Sequence, residues 1–491
     1  MTKKTSFFTA LFFLFILGGL IAKTYKLNVQ PFYEWDEGIY AQIAKEIIKN
    51  KTINTTFNDH IWLNKPPFSH LLIAFSFYLT NFSPFFARLI FAFFSFFSAI
   101  FVFKLTKKIF KNNRFPFLSV LLLYGSKIYL ERSSILNTDI IIAFSWLGYF
   151  LFIDSFWKKT FFLIIGVWSK SLVGFYPLLF DLLFALNQKK FLKKRSLLIF
   201  IKEFFFQIFF ASLWYLYASL KFGRYFFKAH FYDQIFKRVI KPIEFHWSEL
   251  GIRYYPVTFF NDSKILACLF LLSLFLLSFK LLSLIKKKGF LFSKEFRNML
   301  IFFPPLPLLV ILLLSKSKIY WYLAFILPFI SITALYPLSL LKNKKLKKLV
   351  LFFLFAVLAF FFVKNTYLYK HKIESDEKVN LAMCIKNHKE KKLAFLINQE
   401  GRKNYRFLKK NNLDTETTFI YGNSPSFVYY SDKKVDFFYD VEKFKREYQK
   451  YRLVVVQKED ILNLGLNFDN FNLRCKTTNE LDHLRWLVYQ K

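Results

Sequence analysis

Three acidic side chains stand close together in Tyr33-Glu34-Trp35-Asp36-Glu37, ahead of a helical pattern that runs through Lys49. Asp36 and Glu37 fall at or near the start of that helix, where its dipole stabilises a carboxylate by about 0.3–1 kcal/mol. Such a pair can simply cap the helix, or it can orient and deprotonate an incoming nucleophile. Asn64-Lys65-Pro66-Pro67 comes next, its two prolines fixing an extended lead into an apolar stretch. An ammonium held there can grip a phosphate or act as a snorkelling anchor. Glu131-Arg132 and Asp139 lie between two apolar runs, and Lys170 sits in Ser169-Lys170-Ser171-Leu172-Val173-Gly174 between two short apolar halves. A lysine at membrane depth has to be met by a carboxylate or an anion. Lys316-Ser317-Lys318-Ile319-Tyr320-Trp321-Tyr322 adds two more cations. The 221–263 segment adds Arg224, Lys237, Arg238, His246 and Arg253.

The elements that must position these groups are membrane helices. The chain has 491 residues, 55% of them hydrophobic, with 72 Phe and a mean hydropathy of +0.30. Its apolar runs are too long for an ordinary soluble enzyme, and the composition excludes intrinsic disorder and a disulfide-stapled miniprotein. Runs at 7–22, 86–104, 115–131, 139–156, 160–170, 172–186, 196–218, 264–285, 298–314, 319–340 and 348–364 predict eleven spans. A thirteenth-span count is open, the 160–186 pair reads as tilted or partly re-entrant, and 68–80 reads as an interfacial helix. No A-x-A site follows 7–22, so it reads as the first span rather than a cleaved signal.

The charge pattern orients these spans. The net charge is +39, and +32 of it lies in the first 364 positions, which hold only 15 of the 32 acidic residues. The dense basic loops at 104–114, 158–159, 189–195, 286–297 and 342–348 all fall on one side of an eleven-span chain, the cytoplasmic side. That explains the excess charge without nucleic acid. The segments 23–80, 221–263 and the tail then lie outside, and the basic residues in them run against the charge rule, which calls for an anionic ligand.

The organisation expected is a membrane catalytic domain over 1–364 and a small extracytoplasmic α/β domain over 365–491. In the tail, strands are expected at 392–398, 418–421, 426–430, 435–439 and 452–457, with an amphipathic helix at 441–451. Cys268 lies in an apolar run. Cys384 and Cys475 share the tail and can pair only if their Cα atoms come within reach. No Gly-rich phosphate loop occurs, so any group transfer draws on an already activated substrate.

Asp36-Glu37 with Tyr40-Ala41, Ile43-Ala44 and Glu46, then Lys65-Pro66-Pro67, Arg88, Asp139, Lys170 with Gly174, and Lys318 with Tyr322 and Pro328, resemble the aminoarabinose transferase and protein O-mannosyltransferase superfamily. The likeness covers the membrane portion, about three quarters of the chain. It implies a C-type glycosyltransferase fold that is mainly α, with a polytopic bundle of about 11–13 spans. It implies inverting transfer of a sugar from an undecaprenyl phosphate to a lipid A-like lipid, a glycan or a protein, on the periplasmic side of a bacterial inner membrane.

By carry-over, Asp36, Glu37 and Asp139 are the candidate catalytic carboxylates. Lys65, Lys170, Lys318, Tyr322 and Arg132 are the candidates to hold the donor phosphate, and Tyr40, His246 and Arg253 belong with the acceptor or cavity. Two departures stand out. Ile39 occupies a position where the aminoarabinose transferases tend to have Arg. Asn64 replaces a Glu that could hold a divalent metal, which leaves a divalent metal open as the one cofactor the resemblance offers but puts that site in doubt. The competing readings are a flippase for the same lipid and a lipid-binding scaffold. The acids cluster at one boundary, and the chain lacks an evident repeated half.

Overall fold

The computed structural model describes residues 3–33, 35–187, 194–286, 293–370, 377–478 and 484–491, and these form two compact units. The first unit comprises residues 1–27, 88–223 and 247–370 and is built from apolar helices. Among the described residues five segments are long and apolar enough to cross a bilayer outright, and Leu197–Ala211 with Leu213–Ile240, bent by 46°, makes a sixth. The rest of the expected spans are shorter helices. The 115–131 run divides into Phe115–Tyr124 and Lys127–Arg132, because Ser126 caps the second by accepting the Tyr129 N–H at 3.1 Å. Prolines break the 298–314 run into Lys294–Leu300 and Pro305–Leu314. They also start Leu327–Thr333 and Tyr336–Leu340 within 319–340. Hydropathy alone does not register such breaks, since apolar side chains continue through them. The chain is a multi-pass membrane protein.

With lipid as apolar as leucine, close packing rather than water exclusion holds such helices together. Helices Asp139–Leu151 and Phe156–Lys170 meet at Gly148, where a Cβ would lie 2.3 Å from the Phe162 ring. Phe162 in turn stacks on Phe152 at 5.7 Å and meets Phe144 edge-on at 5.3 Å. The apolar stretch Phe156–Asn187 then folds back at Ser171, whose φ of 70° breaks the helix. Gly174 lies so tightly on Val167 that a Cβ would sit 2.3 Å from its backbone nitrogen. Lys159, expected in an exposed basic loop, is instead buried and ion-paired with Asp181 at 2.6 Å. Tyr149 also donates to Asp181, at 2.9 Å. Parts of the 189–195 and 286–297 loops lie outside the described residues.

The second unit comprises 28–87, 224–246 and 371–491. It therefore takes in two segments, expected to lie outside the membrane, that the sequence boundary at 364 left with the membrane part. The reason is long-range pairing. The Asn58 amide makes both backbone hydrogen bonds of Val435, at 2.7 and 2.9 Å, and Lys45 meets Asp432 at 2.8 Å. A two-stranded ribbon, β1 (Thr56–Phe57) with β2 (His60–Ile61), carries Asn58 in its turn.

The sheet of this unit contains β3 (Lys392–Leu396), β4 (Lys434–Phe438), β5 (Leu453–Gln457), β6 (Asn472–Thr478) and β7 (Leu484–Gln490). Its order is β4-β3-β5-β7-β6, with β3 parallel to β4 and β5 and the other pairs antiparallel. Alternate side chains of β3 and β5, Ala394, Leu396, Val454 and Val456, enter a core with Phe438 and Phe444. A disulfide ties Cys384 on helix Glu377–Ile385 to Cys475 on β6 across 91 residues of sequence.

Strands at 392–398, 435–439 and 452–457, and a helix beginning at Val441, appear as expected. Residues 418–421 form a turn, and 426–430 lie in the helix Pro425–Ser431. Pro425 opens that helix. Its Ser426 hydroxyl donates to the Phe32 carbonyl at 3.0 Å, while its backbone fits against Gly38. Tertiary contacts override a short alternating pattern.

Candidate functional site

The predicted site residues fall into two constellations, one in each unit. In the second unit, helix Asp36–Asn50 opens with Asp36 and Glu37 in its first turn. Trp35 before it holds φ 68° and ψ −112°, a conformation a side-chain-bearing residue keeps only when its surroundings impose it. Glu37 is buried and accepts the Tyr33 N–H at 2.9 Å, so it serves the helix start. Asp36 is half-buried and acts electrostatically on both His70 and His246. Glu34 lies outside the described residues.

The Lys65 ammonium donates to the Tyr40 hydroxyl and stands 4.8 Å from the centre of its ring. The loop carrying it is anchored at both sides. Asn64 Nδ2 donates to Thr417 Oγ1 at 2.7 Å, and Trp62 Nε1 donates to the Tyr421 hydroxyl at 2.6 Å. Among the described residues no group of three or more His, Cys, Asp or Glu could hold a metal ion, and no step below runs through one.

His70 was not singled out from the sequence. It is fully buried, edge-on to Tyr40 at 5.0 Å and to Trp62 at 5.1 Å. Its signal is positional: it lies on the third residue of helix Phe68–Thr80, directly after Lys65-Pro66-Pro67. Burial pushes its imidazole down to about 3, with Lys65 adding to the effect and the Pro66 carbonyl and Asp36 opposing it. His230 Nδ1 lies 2.8 Å from the Leu63 carbonyl. The His70 ring is therefore neutral at pH 7. The unfolded chain takes up this proton near pH 6.5 while the folded chain does so only at much lower pH. The stability this permits is fully present above about pH 6.5 and is lost as pH falls toward 4, at up to about 1.4 kcal/mol per pH unit. Thermal unfolding between pH 7.5 and 4.5 is expected to show this slope, and His70→Gln to flatten it.

His246 is half-buried with Nδ1 at 3.1 Å from the Ile243 carbonyl, and burial together with Arg238 lowers it against Glu244 and Asp36. Burial acts to raise Glu244, but Arg238, His246 and the Thr418 and Thr415 hydroxyls outweigh it and hold the carboxyl below its usual value. Arg238 meets it at 3.1 Å and Thr418 at 2.8 Å. Nothing in the sequence alone distinguished Glu244, because its hydroxyl partners Thr415 and Thr418 come from more than 170 residues away.

The first unit holds the other constellation. Asp139 begins helix Asp139–Leu151, its N–H bonded at 2.9 Å to the Asn137 side chain. It is buried and forms an ion pair with Lys170, while Arg132 approaches at 3.8 Å. The sequence demanded a carboxylate or an anion for Lys170, and Asp139 is that carboxylate. Aromatic rings enclose the cations: Lys170 lies 4.6 Å from the ring centres of Tyr322 and Phe325, and Arg132 4.7 Å from that of Trp321. Two cations meet one carboxylate in an apolar, weakly screened setting.

Lys318 stands apart from this cluster. Its ammonium donates to the carbonyls of Leu312 and Leu313, at 3.1 and 2.9 Å, and caps helix Pro305–Leu314. Arg253 is exposed on the Gly251–Arg253 turn. Arg88 is buried and donates to the Leu27 carbonyl at 2.6 Å.

Residues 64–215 match the family described as dolichyl-phosphate-mannose-protein mannosyltransferase. Over 98% of each chain, the fold is similar to that of ArnT from Cupriavidus metallidurans bound to undecaprenyl phosphate, with a TM-score of 0.67 at 12% identity. The archaeal oligosaccharyltransferase AglB from Archaeoglobus fulgidus, in complex with an inhibitory peptide and a dolichol-phosphate, covers 92% of this chain and 70% of its own at a TM-score of 0.53 and 13% identity. An uncharacterised protein of Aquifex aeolicus is 24% identical over 405 residues, 81% of this chain and 84% of its own.

Proposed function

Starting from a mannosyltransferase-family domain within the fold of the C-type glycosyltransferases, we propose that this chain transfers a sugar from a polyprenyl phosphate to an acceptor at the outer face of a bacterial inner membrane. The observation that carries the proposal is the trio of buried Arg132 and Asp139 with Lys170, two cations on one carboxylate among aromatic rings. A phosphate monoester released from a sugar carries more negative charge than the diester before transfer. Preset cations therefore favour the transition state over the ground state.

In the reaction, an acceptor oxygen bonds to the sugar C1 as the bond from C1 to the phosphate oxygen breaks, with inversion at C1. The electron pair leaves with the polyprenyl phosphate. Within the first unit, Lys170 and Arg132 are assigned to that leaving group. Within the second unit, Asp36 is assigned to the acceptor and, where the acceptor is a hydroxyl, to its proton, while Lys65 is held by Tyr40. Glu37 sets the helix start on which Asp36 stands. The lipid A-like, glycan and protein acceptors differ in whether they present a phosphate or a hydroxyl, and that difference decides whether a base is needed.

The test is reconstitution in liposomes with undecaprenyl-phosphate sugars carrying a labelled sugar and with extracted envelope lipids and glycans as acceptors, followed by mass spectrometry of both. The expected result is a covalent product and free undecaprenyl phosphate. Movement of the labelled lipid across the bilayer without any product would replace this reading with a transporter.

A further inference from the structure

A cleft of about 310 Å³ opens in the second unit beside the start of the Asp36–Asn50 helix, lined by aromatic rings and planar polar side chains. We propose that it binds a neutral saccharide, so that the acceptor of the transfer is a glycan bearing free hydroxyls. The proposal rests on the glycosyl-transfer reading for its meaning as an acceptor site, while its chemistry stands on the cleft itself.

The walls combine two kinds of surface. Trp35, Phe245, Tyr405, Phe419 and Tyr439 supply the aromatic faces. Trp35 is 46% exposed and Phe245 40% exposed, although both are large apolar side chains. Tyr405 is held in place by Tyr439, stacked at 4.7 Å, and by Phe419, edge-on at 4.4 Å. Asn398, Asn404 and Asn423, with Glu400, Glu244 and Lys378, supply the polar edges. Flat rings suit the apolar faces of a pyranose, and amides and carboxylates suit its vicinal hydroxyls, each hydroxyl being donor and acceptor at once. The volume lies at the small end of the range for small-molecule sites, roughly 300–1,000 Å³, and admits a mono- or disaccharide.

Charge argues against a phosphorylated acceptor in this cleft. Of its two carboxylates, Glu244 is already paired with Arg238 at 3.1 Å, and its one ammonium, Lys378, donates to the Asn423 carbonyl at 3.2 Å. A phosphate would meet the Glu400 carboxylate while the cations there are engaged elsewhere. The backbone is also specialised there. Trp35, Glu244, Phe245 and Asn423 all hold positive φ, between 53° and 68°. Three of them are residue types that rarely do so, and this fixes the side chains before any ligand arrives.

The test is saturation-transfer NMR on the full-length protein in nanodiscs, without any polyprenyl donor. The probes are methyl α-mannoside, methyl β-glucoside, methyl β-galactoside and N-acetylglucosamine. Signal from at least one is expected, weakened tenfold or more in Trp35→Ala and in Asn404→Ala and restored in Trp35→Tyr. Asn404 is half-buried on the face of helix Gln399–Lys410, so its variant probes the cleft even if the Trp35 change disturbs folding. No signal from any probe with the wild type overturns the proposal, as does undiminished signal in both alanine variants. A glucose 1-phosphate competitor that displaces the neutral probes at lower concentration overturns the charge argument and with it the proposal. Because no donor is present, binding of the neutral probes upholds the cleft even if the chain transfers no sugar, and its absence leaves the transfer reaction to be judged by its own product.

Discussion

Asp36→Asn is expected to lower transfer to a hydroxyl acceptor by about 10²–10⁴-fold, the usual weight of a positioned general base. The substitution keeps the shape of the side chain and its place in the first turn of helix Asp36–Asn50, where Glu37 still accepts the Tyr33 N–H. Folding should therefore be unchanged, and the loss should fall on kcat. Asparagine can still donate and accept hydrogen bonds, but it cannot take a proton at neutral pH. If the acceptor is instead a phosphate, already ionised, only positioning is lost and the drop is far smaller. Steady-state kinetics with labelled donor separates the cases. Unchanged kcat and KM toward a hydroxyl acceptor would remove Asp36 from the reaction.

Lys170 and Asp139 are expected to behave oppositely although they form one ion pair. Lys170→Met leaves Asp139 with Arg132 and keeps an aliphatic chain against Tyr322 and Phe325. The fold should survive, and transfer should fall by about 10²–10³-fold because a preset cation for the leaving phosphate is gone. Asp139→Asn leaves two cations buried against each other. Removing one partner of a buried pair costs about 3–5 kcal/mol, so this variant should unfold well below the wild type and express poorly. Thermal unfolding in detergent together with single-turnover transfer distinguishes the two outcomes. A Lys170→Met protein with wild-type turnover, or an Asp139→Asn protein with wild-type stability, would contradict the roles given to them.

Local signals were legible from the sequence where one strong physical demand acted alone. A lysine between two short apolar halves requires a carboxylate, and Lys170 has one. Acidic residues ahead of a helical pattern marked a helix start at Asp36, and two prolines marked the start of helix Phe68–Thr80. What stayed hidden depended on partners distant in the chain. Lys318 looked like an anion-holding cation, and only the end of helix Pro305–Leu314 beside it shows that it satisfies carbonyls. Lys159 looked like a loop charge until Asp181 met it. His70, Glu244 and the 426–430 helix were obscure for the same reason, since their neighbours come from segments that fold onto them. The pairing of Asn58 with Val435, 377 residues apart, has no sequence signature at all.

The bond between Cys384 and Cys475 gives the chain a built-in record of its own biogenesis. Thiols oxidise in the periplasm and stay reduced in the cytosol, so under the proposed orientation this crosslink closes only after the tail has been exported. Cells lacking a periplasmic thiol oxidase should accumulate a protein whose two sulfurs react with maleimide and whose tail is open to proteases, while the membrane helices insert normally. Sulfurs found reduced in wild-type cells would place the tail on the other side.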